Sequence, residues 1–79
     1  MHEVTAIKSM MVIIKQKAEE NNLSKVTKVN VVLGKFSGVT KEDFTYWFKE
    51  LSKDSPAYGA AISFTEPMTP DIYLESIEG

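Results

Sequence analysis

The chain contains no cysteine and no arginine, and its only histidine is His2. Without cysteine there is no disulfide, no thiol nucleophile and no thiolate-bound zinc. All nine basic residues are lysines, which removes the guanidinium fork used to grip phosphate and guanine. Neither a basic stripe nor a basic net charge is present (the formal balance is −2), so nucleic acid is excluded as a partner. The longest uninterrupted apolar run, Met10-Met11-Val12-Ile13-Ile14, is far too short to cross a bilayer. Acidic Glu3 precedes that run and no small-residue cleavage site follows it, so it does not read as a signal peptide. A cytoplasmic protein with no membrane partner is the expectation. One histidine, no cysteine and no paired acid–base constellation argue against an enzyme.

What is present begins with Met1-His2-Glu3. The terminal amine, the His2 amide nitrogen and His2 Nδ1 can close two fused chelate rings on one metal ion. A fourth in-plane donor comes from either the Glu3 amide nitrogen or the Glu3 carboxylate. Nitrogen donors held in a plane suit Ni(II) or Cu(II) and fit tetrahedral Zn(II) poorly. Binding expels protons from the amine and the amide, so affinity rises with pH. By position alone, however, an N-terminal histidine is ordinarily a solvated bystander.

Seventy-nine residues make one domain. A chain this short buries only roughly 60–65% of the surface its unfolded form exposes, so its core must be small and compact. Thr5 is placed as the N-cap of a first helix running to about Glu20. Val4, Ile7, Met10, Met11, Ile14 and Ala18 fall on one stripe at helical spacing. The apolar run is also compatible with a buried strand, but the flanking Lys-Gln-Lys-Ala-Glu-Glu is rich in helix formers and favours the helix. Val12 and Ile13 lie off the stripe, either covered by a neighbouring element or presented to a partner or second copy. Asn21-Asn22 ends the helix.

Val26 to Leu33 reads as a strand with Val29, Val31 and Leu33 on the buried side and Lys28, Asn30 and Val32 on a mostly solvated side. In the loop Gly34-Lys35-Phe36-Ser37-Gly38 both glycines are expected to permit positive φ. Thr40 and Asp43 read as a capping pair for a second helix carrying Phe44, Trp47, Phe48 and Leu51 inward. Lys53-Asp54-Ser55-Pro56 stops it. Tyr58-Gly59 turns into a second strand, Ala60 to about Glu66, with Ile62 and Phe64 inward. Residues 67–71, with two prolines, form a tight connection to a third strand, Ile72 to Ile77. There Ile72 and Leu74 share a face and Ile77 breaks phase, which calls for a bulge or fray.

Helix, strand, helix, strand, strand is then an α/β (α+β) two-layer sandwich, with two helices packed on one face of a three-stranded mixed sheet. The strand–helix–strand unit makes its two strands parallel. The proline turn is expected to join two adjacent antiparallel strands.

Met1-His2-Glu3 before a helix, Val26-Thr27-Lys28-Val29, Gly34-x-x-Ser37-Gly38-Val39, and Gly59-Ala60 before a strand occur here in an order that resembles HypA, the nickel metallochaperone family of [NiFe]-hydrogenase maturation, which in some bacteria also serves urease. The likeness runs over nearly all of residues 1–68. It implies Ni(II) as cargo, with His2 as central ligand, Met1 binding by its amine and Glu3 by its amide or as a supporting carboxylate. It also implies a maturation GTPase, an apo-hydrogenase or urease accessory proteins as partners. The family carries a zinc module with two Cys-x-x-Cys pairs between its last two nickel-domain strands. Here residues 67–71 stand in that place, and Ile72 to Glu78 resembles the family's closing strand, so residues 1–79 are read as a single nickel-binding domain with no structural zinc. The competing expectation is a metal-independent interaction module on the same fold, docking partners or self-associating as a homodimer, with Val12, Ile13, Phe36 and Tyr46 as contacts.

Overall fold

The computed structural model describes residues 3–79. Its elements in chain order are α1 (Glu3–Glu20), β1 (Lys28–Leu33), α2 (Lys41–Leu51), β2 (Ala61–Thr65) and β3 (Ile72–Glu78). They form a three-stranded mixed sheet with the helices packed as a second layer, as the sequence pattern implies.

The first helix is held by its apolar stripe: Ile7, Met10, Met11, Ile14 and Ala18 are buried along its length. Thr5 is not its N-cap, because the helix already runs from Glu3. Helix formers on both sides of Thr5 carry the turn through it, and the apolar stripe reaches back past it to Val4. The other end closes in a Schellman motif: Leu23 N–H donates to Ala18 O at 2.8 Å and Asn22 N–H to Glu19 O at 3.1 Å, with Asn22 at φ 55. Leu23 then folds back against the core.

Strand β1 begins at Lys28, two residues later than the pattern implied, although Val26 is fully buried. Val26 spends its amide on Pro56 O at 2.9 Å, outside the sheet, so burial there reflects the 52–59 loop and not strand pairing. Val29, Val31 and Leu33 face the helices and are buried. Val32, on the opposite face, is also buried at 4% exposure, beside Thr65 and Tyr73 on the flanking strands. That face is thus polar at the Lys28–Asn30 end and apolar at the Val32 end.

Thr40 caps α2, its Oγ1 accepting from Asp43 N–H at 3.1 Å. Phe44 and Phe48 are buried, while Trp47 and Leu51 are half-buried against the same core. Phe44 stacks on Phe48 with centroids 6.0 Å apart and meets Phe64 of β2 edge-on at 5.5 Å. Those rings tie the helix layer to the sheet.

The strand order is β2-β1-β3, with β1 parallel to β2 and antiparallel to β3. The last two strands are therefore not neighbours: they occupy opposite edges, and residues 66–71 cross the end of β1 to link them. Three backbone bonds clamp that crossing down: Gly34 N–H to Asp71 O (2.7 Å), Lys35 N–H to Pro67 O (2.8 Å) and Phe36 N–H to Thr69 O (3.0 Å). A hairpin would have left β1 with one partner, whereas the crossing gives this central, buried strand a partner on each side. The anticipated bulge is present: Asn30 pairs with Ser76 and Val31 with Leu74, so Glu75 is the extra residue that returns Ile77 to phase.

Candidate metal site at the amino terminus

Glu3 opens α1 as its first helical residue and is half-exposed. The first turn of a helix has amide N–H groups with no intrahelical acceptor, and the Glu3 amide is one of them. It is consequently available to a metal without breaking a helical hydrogen bond. Met1 and His2, the other two members of the expected ligand set, lie outside the described residues. Among the described residues, no group of three or more His, Cys, Asp or Glu side chains converges as a metal site.

The fold determines which end of the molecule presents this terminus. The C-terminal end of α1 hands over to β1 through residues 21–27, and Leu23 there packs so closely that a Cβ on Gly79, at the end of β3, would meet its Cδ2. A helix of 18 residues is ~27 Å long, and the whole molecule extends 34 × 21 × 18 Å. Glu3 therefore falls at the far end, where β1 finishes, α2 starts and the 66–71 crossing lies. At that end Lys41 Nζ sits 3.4 Å from Glu66 Oε2, linking the start of α2 to the crossing.

The four expected contact residues are all exposed: Val12 at 56%, Ile13 at 43%, Phe36 at 64% and Tyr46 at 58%. Among the described residues, no element covers Val12 or Ile13 beyond this partial contact. The structure adds Met68 and Tyr73 to the exposed apolar side chains, both on or beside the crossing. Sequence pattern alone missed them because their exposure depends on where the crossing runs.

Residues 1–70 match the family model described as hydrogenase/urease nickel incorporation, metallochaperone, hypA. The chain belongs to the HypA family. HypA relatives include the hydrogenase maturation factor of Caldanaerobacter subterraneus, 33% identical over 64 residues, a match covering 81% of this chain and 56% of the relative. That of Francisella philomiragia is 46% identical over 55 residues, covering 70% of this chain and 48% of the relative. The chain thus spans about half the length of the curated HypA proteins it matches. The fold is shared with the solution structure of the nickel metallochaperone HypA from Helicobacter pylori, at TM-score 0.73 and 19% identity, covering 96% of this chain and 72% of that one. A second HypA solution structure superposes at TM-score 0.78 and 16% identity, covering 98% of this chain and 94% of the other.

Proposed function

We propose that the chain is a nickel carrier that binds Ni(II) through Met1, His2 and Glu3 and passes it on during maturation of a [NiFe]-hydrogenase or of urease. The observation that carries this reading is the start of α1 at Glu3, directly behind a Met-His dipeptide, in a member of a nickel-incorporation family. The amine and the His2 amide and imidazole nitrogens occupy three corners of a square plane, and Glu3 fills the fourth by amide or carboxylate. With two amides deprotonated, the Ni(II) complex is formally neutral. That matters at this position, because the N-terminal end of a helix carries partial positive charge and disfavours a bare cation.

A carrier needs geometric selectivity together with an exit route. A chelate on the chain end offers ligand exchange to an incoming donor one position at a time, which a buried four-ligand cage would not. The recipient in this reading is a maturation GTPase, the apo-hydrogenase or a urease accessory protein, in the cytoplasm. Residues 67–71 stand where the resemblance puts the zinc module, and the 79 residues contain no cysteine to hold zinc. No catalytic step is assigned to the chain.

The test is titration of the untagged protein with Ni(II). Replacing His2 with Ala, or adding one residue before Met1, should abolish tight binding, and unchanged affinity in either variant removes the site. Mass spectrometry of the same preparation should show Met1 retained and unblocked. Pull-down of partners with His2→Ala separates a carrier from an adaptor, since an adaptor keeps both binding and function without the imidazole.

A further inference from the structure

The two edges of the sheet are built differently. The outer edge, β3, carries Glu75 and Glu78 and is broken by the bulge at Glu75. Acidic side chains and a bulge are the usual protections against edge-to-edge pairing. The other edge, β2, reads Ala61-Ile62-Ser63-Phe64-Thr65, with no charge, no proline and no bulge in its pairing with β1.

The backbone groups left free on that edge can be assigned. Ala61 N–H donates to Thr27 O on the β1 side at 2.9 Å, so residues 61, 63 and 65 turn their amides and carbonyls inward. Ile62 and Phe64 therefore turn theirs outward. From this we infer that β2 pairs with β2 of a second copy, antiparallel and centred on Ser63, joining the two sheets into one of six strands. This register is the one that uses every outward group: Ile62 exchanges two hydrogen bonds with Phe64 of the partner copy, and the two-fold axis repeats the exchange.

The side chains suit the same register. Ile62 and Phe64 both point to the helix layer and are only partly buried in the single chain, so each would cover the other across the joint. Ser63 meets its own copy on the open face, and Ala61 meets Thr65. No like charges are opposed, whereas pairing through β3 would bring its glutamates together. Five residues offer less than the ~800 Å² per partner of a standard stable interface, so the dimer is concentration-dependent. Helix α1 packs toward β3, so the joint lies away from that helix. The inference does not depend on nickel binding.

Sedimentation velocity from micromolar to millimolar protein tests it. Self-association should be present in the parent chain and about tenfold or more weaker in Ser63→Glu and in Ser63→Lys, each of which sets like charges face to face. Mixing the two variants should restore association as a heterodimer. Amide exchange at Ile62 and Phe64 should slow as concentration rises. A chain that stays monomeric at millimolar concentration, or variants that associate as the parent does, would overturn the proposal.

Discussion

Gly34 and Thr69 are in backbone contact: a Cβ built on Gly34 would drive into the carbonyl oxygen of Thr69. Gly34 does not have positive φ, as its place in a loop implied; only Gly38 (φ 81) and Gly59 (φ 83) do among the glycines. Its side-chain hydrogen is required because the 66–71 crossing lies directly on it. Gly34→Ala is expected to destabilise by about 3 kcal/mol, since backbone clamped by three hydrogen bonds yields little. Gly38→Ala meets no neighbour within 4 Å and should lose only about 1 kcal/mol, from the left-handed conformation. Urea denaturation of both variants checks the order, and equal losses would mean that the crossing can lift away.

Phe44 anchors the helix layer, with no exposed surface and with Phe48 and Phe64 against its ring. Phe44→Ala should cost about 3–5 kcal/mol, enough to unfold much of the population of so small a domain. Tyr46→Ala, at an exposed position two residues along, should fall within about 0.5 kcal/mol of the parent. Thermal unfolding followed by circular dichroism separates the two.

The helix ends make a paired prediction of opposite sign. Thr40→Ala removes the oxygen that accepts from Asp43 N–H and should destabilise by about 1 kcal/mol. Asn22→Gly, at φ 55, should be neutral or stabilising by up to about 1 kcal/mol, because glycine adopts the left-handed region without a Cβ penalty. A stabilising Thr40→Ala would remove the cap from the account.

Nickel affinity should rise steeply with pH. Binding through the amine, the His2 amide and either the carboxylate or the amide of Glu3 releases about two protons in the first case and about three in the second. Apparent affinity measured between pH 6.5 and 7.5 should increase by about two or three decades per unit, and calorimetry in buffers of different ionisation enthalpy counts the protons directly. A slope of about one or less would mean that no amide is deprotonated and the planar chelate is absent. Glu3→Gln separates the two modes, because it removes the carboxylate and leaves the amide.

The single amino-acid string determined more of the fold than of its connections. Apolar spacing at Ile7, Met10, Met11, Ile14 and Ala18 specified α1, and Thr40 with Asp43 specified the start of α2, because helix periodicity and capping are local. The phase break at Ile77 likewise announced the bulge at Glu75. The chemistry of Met1-His2-Glu3 is local too, since three adjacent residues carry the whole proposed donor set. What only the tertiary structure decided was which strands touch: β3 passes over the end of β1 to the far edge, against the expectation of a hairpin. That choice converts Gly34 from a turn residue into a contact, buries Val32 on the open face, and leaves β2 as a bare edge. Strand neighbours are selected by how many backbone groups and apolar side chains the whole sheet satisfies at once. A six-residue link that can either turn back or cross carries no record of that sum in its own sequence.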